Sequence, residues 1–455
     1  MTAGASGIIP DITIEDLVVF GAEALAAILL DCAGRDIDLL DRLRLSVAAR
    51  KGPDALAAVT ASRIRALVDD RTFYDWRTAG ILADRISHLR GVIADGFEDP
   101  EIAAGLLADL VATSSTVMAR VDDSGRVGGA FGDTVAAWGA ACARIPARDT
   151  EALAVLVLHE INTDHYGVKH DVLPAFREAL GPTGLVTLRG LIQLELGRDT
   201  AASWRWLHAL QQIADGLGDV DGFIAAVEAG GRPERQAVDV ASRLVAAQRP
   251  GEALDWLDRA DTGTGLAADV RIDALSALGR MEEARIVRWK EATEYLRLEH
   301  YRIYAEALAV DEREVVPQLA VAAAMVHNDT GAAIAFLLDL PDEAAAERLV
   351  VTRYPELDGR CYATLLPLAD RLAERHPLAS VLLYRVLAEA ILDARRSPAY
   401  RHAAAYICIA NRLSVRIVDW QGHEPPVASM ARIQDIHRRK SAFWPALANA
   451  EQCEP

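Results

Sequence analysis

Apolar residues in this chain recur at steps of three and four over almost its whole length, and no comparably long stretch alternates with period two. A three-four step places one face of a helix against a neighbour, whereas a half-buried strand needs alternation. Ile37, Leu40, Leu43 and Val47 form one such stripe. Leu56, Val59, Ile64 and Leu67 form a second. Tyr400, Ala403, Ile407, Ala410, Ser414 and Ile417 hold the step over five turns. The expected fold class is all-α, with no sheet. The residue balance agrees: aromatics are 6% of the chain, and the abundant Ala and Leu favour helices over strands.

Helix boundaries carry their own chemistry. Asp99-Pro100 and Ser397-Pro398 each read as a side-chain N-cap followed by Pro at the first helical position, where its missing N–H costs nothing. Breaks are expected at Gly52-Pro53, Gly181-Pro182, Gly230-Gly231, Arg249-Pro250-Gly251 and His376-Pro377.

In the second half the breaks recur with a pattern. Gln248-Arg249-Pro250-Gly251-Glu252-Ala253 is matched 31 residues later by Leu278-Gly279-Arg280-Met281-Glu282-Glu283-Ala284. Asn328-Asp329-Thr330-Gly331-Ala332-Ala333 and His376-Pro377-Leu378-Ala379 read as degenerate copies. A turn, then an acidic or small residue and Ala, lets two helices of a hairpin approach closely. Such units predict an irregular α-solenoid of helical hairpins, similar to tetratricopeptide repeats. The domains expected are an N-terminal helical domain over 1–215 and a tetratricopeptide-like solenoid over 216–455, since Gly and Asp are dense around 215–235. The longest irregular stretch of the first half is expected over Asp122 to Gly132.

With 51% hydrophobic residues the 455-residue chain can bury a sizeable core. Sixty-six acidic against 48 basic side chains give a formal charge of −18, a field that repels nucleic-acid phosphates and anionic membrane surfaces. Met1 to Asp11 has no Lys or Arg, as a secretory n-region would need. The run Leu17 to Leu30 contains Glu23 and is too short to span a bilayer, so it reads as a buried helix. Cys32, Cys142, Cys361, Cys408 and Cys453 are far apart, which fits reduced, mostly buried thiols in a cytoplasmic protein.

Candidate sites are few. His159-Glu160-Ile161-Asn162-Thr163-Asp164-His165, with His170 beyond, is close to the HExxH zinc signature. That signature needs two His four apart on one helix face. Here they are six apart, roughly 240° around a helix at about 100° per residue, so zincin-type chelation is excluded. A bend at Tyr166-Gly167 that joins His165 and His170 is the remaining route to a metal. Gly263-Thr264-Gly265-Leu266-Ala267-Ala268 matches a dinucleotide fingerprint in letters, but helix and not strand is expected before it. Asp122-Asp123-Ser124-Gly125-Arg126 lacks the ligand pattern of a calcium loop and reads as an exposed turn suited to partner contact. Cys361 reads as a buried small hydrophobe. Arg438, Arg439 and Lys440, followed by Phe443-Trp444, form a basic end that could meet phosphate or an acidic peptide, or could complement a helix dipole with the aromatics packed back as a cap. No GxSxG elbow is present.

Several segments together resemble a bacterial all-helical, tetratricopeptide-like domain family of unknown function. They are Asp16 to Ala33, Ala119 to Arg126, His165-Tyr166-Gly167, Leu180 to Leu185, and the stretch from Arg353-Tyr354-Pro355 through Tyr400, His402-Ala403 and Trp420 to Arg439-Lys440-Ser441-Ala442-Phe443-Trp444. The last stretch is also similar to the C-terminal helical region of some SWIM zinc-finger proteins. The resemblance implies a helical fold and carries no catalytic residue. The zinc finger itself would need a CxC pair, which this chain lacks.

The expected function is therefore a non-enzymatic scaffold without a cofactor, binding a protein or peptide partner on a helical-repeat surface. Two alternatives stand beside it: a metal-dependent hydrolase using His159, Glu160, His165 and His170, and a nucleic-acid-associated protein acting through Arg438, Arg439 and Lys440.

Overall fold

The computed structural model describes residues 13–122, 124–198, 203–260, 265–309, 313–340, 342–395 and 397–452. They fold as helices. Among them there is no strand, only an isolated parallel bridge between Tyr74 and Val121. The chain divides into two compact units, Met1–Pro233 and Glu234–Pro455.

The first unit contains α1 (Ile14–Val18), α2 (Gly21–Ala33), α3 (Ile37–Lys51), α4 (Pro53–Asp69), α5 (Ala79–Gly96), α6 (Pro100–Ala112), α7 (Ser114–Met118), α8 (Arg126–Ala143), α9 (Thr150–Asn162), α10 (Val172–Arg198), α11 (Ser203–Leu217) and α12 (Val220–Ala229). Helix α8 packs on α5, α6 and α10, and α10 also receives α9 and α11. Their shared core is built on fully buried Phe131, Phe176, Ile86, Leu107 and Leu188. Asp99 caps α6 by accepting from the Glu101 N–H at 2.8 Å, with Pro100 in the first turn, as its letters suggest. The stretch Pro100–Met118 is long and apolar enough to cross a membrane by length and composition, yet Ala103, Leu107, Leu110, Val111 and Val117 are buried in this core.

Gly181-Pro182 is a break, as its letters suggest: Gly181 takes φ 57° and ψ −177°, outside the helical region and open to Gly, and Pro182 supplies no N–H there, so two helices meet across a kink within Val172–Arg198. The expected irregular stretch Asp122 to Gly132 is shorter than its glycines suggested, because α8 begins at Arg126. In α3 the inward residues are Leu45 and Ala48, while Ile37 and Val47 are exposed, so the stripe read from sequence faces outward at both ends.

Two further expectations are corrected. The run Leu17 to Leu30 is not a buried helix: in α2 Ala33 is the buried residue, and Val18, Val19, Phe20, Ile28, Leu29 and Leu30 are exposed. The helix packs on α1 and α3, and most of its apolar surface stays outside that contact. Ser397-Pro398 opens a 3₁₀ turn, Ser397–Ala399, with the α-helix starting at Tyr400.

The second unit contains α13 (Ala237–Ala246), α14 (Pro250–Asp258), α15 (Gly265–Ala277), α16 (Met281–Glu294), α17 (Leu298–Glu306), α18 (Val316–Val326), α19 (Thr330–Asp339), α20 (Glu343–Arg353), α21 (Tyr362–Leu372), α22 (Pro377–Asp393), α23 (Tyr400–Ser414), α24 (Pro426–His437) and α25 (Phe443–Gln452). Packing runs along the chain: α13 meets α14 and α15, α18 meets α19 and α20, α19 meets α21, and α20 meets α22.

The turns between these helices repeat atom for atom. Arg249 N–H donates to Leu244 C=O, Arg280 N–H to Leu275 C=O, and Asp342 N–H to Leu337 C=O, at 2.8, 2.9 and 3.0 Å. Asp219, between α11 and α12, makes the same bond to Ala214 at 2.9 Å. These are the closing bonds of a Schellman turn, which needs one residue at positive φ. Gly218, Gln248 and Gly279 supply it, at 66°, 61° and 74°. In each case the donor is also the N-cap of the next helix. Four residues past the caps of α14, α16, α19, α20 and α22 stands a small buried residue: Ala253, Ala284, Ala333, Ala346 and Ser380. The 31-residue pair seen in sequence is thus matched in detail. Arg249 grips Glu252 through Nε and NH2, both at 2.7 Å, and Arg280 grips Glu283 the same way, both at 2.6 Å.

Candidate functional site

The His159–His170 segment is a clamp on a buried lysine. Lys169 Nζ lies 2.5 Å from Glu160 Oε2 at the end of α9, with side-chain exposures of 6% and 13%. Asp164 accepts from the backbone N–H groups of Val168 and Lys169, both at 3.0 Å, which fixes the bend near Tyr166-Gly167. His170 Nδ1 is 2.9 Å from the Gly167 carbonyl, and its Nε2 is 3.0 Å from Asp171. His159, His165 and His170 are exposed. Among the described residues no group of three or more His, Cys, Asp and Glu side chains is placed to hold a metal ion. The bend does bring His165 and His170 to one cleft of about 270 Å³, where Trp204 and His208 of α11 join them. Glu160, which a hydrolase would use as its base, is instead committed to Lys169.

The loop before α8 is pinned. Tyr74 N–H donates to Arg120 C=O at 3.0 Å and Asp122 N–H donates to Tyr74 C=O at 2.9 Å. Asp122 and Arg126 are exposed, as expected of a contact loop; Asp123 lies outside the described residues. Gly263 and Thr264 do so too, and Gly265 opens α15, which follows helix α14 and not a strand. At the C-terminal end, Arg438 and Arg439 are exposed, but Lys440 is spent internally. Its Nζ donates to the Leu392 carbonyl at the end of α22 and sits 5.8 Å from the Tyr400 ring. Phe443 is fully buried against Tyr400, and Trp444 Nε1 donates to His437 C=O at 3.3 Å. The aromatics are a packed cap.

Sequence reasoning missed a cleft of about 510 Å³ between α3, α4 and α5. Its charges form a chain. Asp38 accepts from Arg85 Nε at 2.5 Å, Arg85 NH1 donates to the Tyr74 hydroxyl at 3.0 Å, and that hydroxyl donates to Asp70 Oδ2 at 2.7 Å. Asp41 receives Arg63 at 2.7 Å and Arg44 at 3.2 Å. Burial and the bond to Asp70 raise the Tyr74 pKa. Burial works to raise Asp70 too, but hydrogen bonds from Thr72 and Tyr74 and the Arg120 charge hold it below the usual range. Burial, then the Arg42 charge, lowers His88, leaving a neutral imidazole at pH 7. The contributing residues come from three helices and the loop between α4 and α5, so no local motif could have announced them. Their acids and bases neutralise one another, which suits recognition better than proton transfer.

A second cleft of about 560 Å³ lies between α14, α15 and α16, in the second unit. It is lined by both copies of the repeated turn, through Gly251, Leu254, Arg280 and Glu283, and by exposed Asp255 and Ile286. Asp258 on its wall pairs with Arg271 at 2.8 Å.

Cys32 and Cys361 are exposed, against the expectation of a buried Cys361; Cys142 and Cys408 are buried, and Cys453 lies outside the described residues. Cys361 caps α21 at a surface turn, where its carbonyl accepts from Thr364 and Leu365. Burial pushes the Cys142 thiol up to about 11, so it is protonated at neutral pH. Brief maleimide labelling of native protein at pH 7.5, mapped by peptide mass, is expected to modify Cys32 and Cys361 and to reach Cys142 and Cys408 only in denaturant.

These features define an all-helical protein whose polar clefts are walled by paired charges. More particularly, the chain belongs to a family of unknown function, DUF6880, whose model matches residues 12–202 and 195–446. No curated protein matches it.

Proposed function

We propose that the chain is a non-enzymatic, cytoplasmic scaffold whose second unit is a tetratricopeptide-like solenoid, akin to the C-terminal helical region of some SWIM zinc-finger proteins, and that it holds a protein or peptide partner on that repeat surface. The observation that carries this reading is the recurring turn: the same closing bond, the same capping position and the same small buried residue return along the second unit. Hairpins that repeat in this way stack side by side and leave inter-hairpin grooves open to partners. The groove pairs Asp258 with Arg271 and Glu283 with Arg280, and it presents Asp255 and the exposed apolar Ile286 beside them, a carboxylate and an apolar side chain that complement a basic or amphipathic segment.

The test is quantitative affinity capture from native cells with the wild-type chain and with Asp255→Lys/Ile286→Glu. The expected result is a stoichiometric partner that elutes with rising salt and is depleted about tenfold or more on the variant, in line with losing a charge contact and an apolar anchor. Identical retention by both proteins overturns the assignment of this groove, and repeated failure to retain any stoichiometric partner overturns the scaffold reading.

A further inference from the structure

We infer that the cleft between α3, α4 and α5 binds a small zwitterion, an apolar dipeptide with free amino and carboxyl ends. The site lies in the first unit and does not depend on the groove of the second binding anything. At about 510 Å³ the cleft falls within the ~300–1,000 Å³ of small-molecule sites. Each helix gives it one face: Asp38, Arg42 and Leu45 recur at helical spacing on α3, as Ile81, Asp84 and His88 do on α5.

The charge left over selects the ligand. Four carboxylates and three guanidinium groups line the cleft. Asp38 holds Arg85, Asp41 holds Arg63, and Asp70 lies 3.7 Å from Arg120. That pairing leaves Arg42 and Asp84. Both are exposed, and neither side chain has a hydrogen bond or ion pair among the described residues. One cation and one anion without partners complement a molecule that carries one of each. Two lining nitrogens, Arg63 Nε and His88 Nε2, are buried without a partner. Native interiors leave few such atoms, and two beside one cleft mark polar groups held there for something other than internal bonding.

The free charges also set a length. Asp84 precedes Arg85, which grips Asp38, and Arg42 stands four residues beyond Asp38 on α3. Four residues rise about 6 Å along a helix. An extended chain advances about 3.3–3.6 Å per residue, so two residues bridge that span and one does not. An ammonium at Asp84 and a carboxylate at Arg42 place the ligand's side chains toward Ile37 and Ile81 at one end and Leu45 and Leu89 at the other, all of which line the cleft. Ile37 and Ile81 are 64% and 46% exposed, so apolar surface is open to an occupant.

The probe is leucylleucine, titrated into the full chain by isothermal calorimetry, with leucine, N-acetyl-leucylleucine and leucylleucine amide as comparisons. Leucylleucine is expected to bind saturably, and each comparison about tenfold or more weaker, since each loses a charged end or the reach to pair both. Arg42→Gln should lower leucylleucine to the affinity of its amide and leave the amide unchanged. Asp84→Asn should lower it to the affinity of the acetyl form and leave that form unchanged. Neither side chain makes an internal bond, so circular dichroism should show unchanged helix in both variants. No saturation by about 10 mM, below the affinity of even a millimolar site, overturns the proposal. So does equal binding of the acetyl or the amide form, which makes the occupant a simple anion or a simple cation, and so does leucine matching leucylleucine, which removes the length. Full affinity in both variants puts the ligand elsewhere on the chain and overturns it as well.

Discussion

Gly139→Ala destabilises the first unit by about 3 kcal/mol or more, the upper range for forced overpacking. Gly139 lies in α8 at its crossing with α10. A Cβ there would stand 2.1 Å from the Ala175 carbonyl oxygen, 2.5 Å from its carbon and 3.1 Å from the Phe176 nitrogen. These are backbone atoms of another helix, so no rotamer change relieves the clash; α8 and α10 must separate. Separation opens the contact of Trp138 with Phe176, whose rings meet edge to face at 4.9 Å beside the glycine. The internal control is Gly132→Ala, seven residues earlier in the same helix, where an added Cβ meets nothing within 4 Å. That substitution should stabilise by about 0.5–1 kcal/mol through helix propensity. Paired urea denaturation curves should therefore move in opposite directions. Equal shifts of the two midpoints would show that α8 and α10 are not in backbone contact.

The helical class was legible because it follows from spacing alone, and so was the repeated turn, whose letters (Arg, then Glu at the third place, then Ala) map directly onto the Arg249–Glu252 and Arg280–Glu283 forks and onto buried Ala253 and Ala284. What escaped was anything set by which helix lies beside which. An apolar run announces that a helix wants covering, but not that a cover is present; α2 has the composition of a core helix and an exposed face. Cys361 reads as a small hydrophobe by residue type, yet its place at a helix cap puts it in solvent. The cleft of Asp38, Tyr74 and Arg85 is assembled across three elements, and pairings of that kind leave no trace in local spacing. The His159–His170 segment shows the converse: its letters come close to a catalytic motif, while a lysine nine residues past the glutamate decides what the glutamate does.

Glu160→Gln separates the structural from the catalytic reading of that segment, and its expected effect is large. The Lys169 side chain is 6% exposed, and its ammonium has Glu160 at 2.5 Å and the Thr163 hydroxyl at 3.3 Å as side-chain partners. Removing the carboxylate charge leaves a buried cation uncompensated, which costs about 3–5 kcal/mol. Helix α9 ends here and α10 begins a few residues later, so the loss should appear as early melting of the first unit. Replacing both partners, Glu160→Leu/Lys169→Met, removes the unpaired charge and should recover most of the stability, because apolar residues of similar volume often match a buried ion pair. A residue whose role was to activate a metal-bound water would behave otherwise: Glu160→Gln would leave stability near wild type, and the double variant would be the worse of the two. Thermal melts of the three proteins under identical buffer decide between these orders.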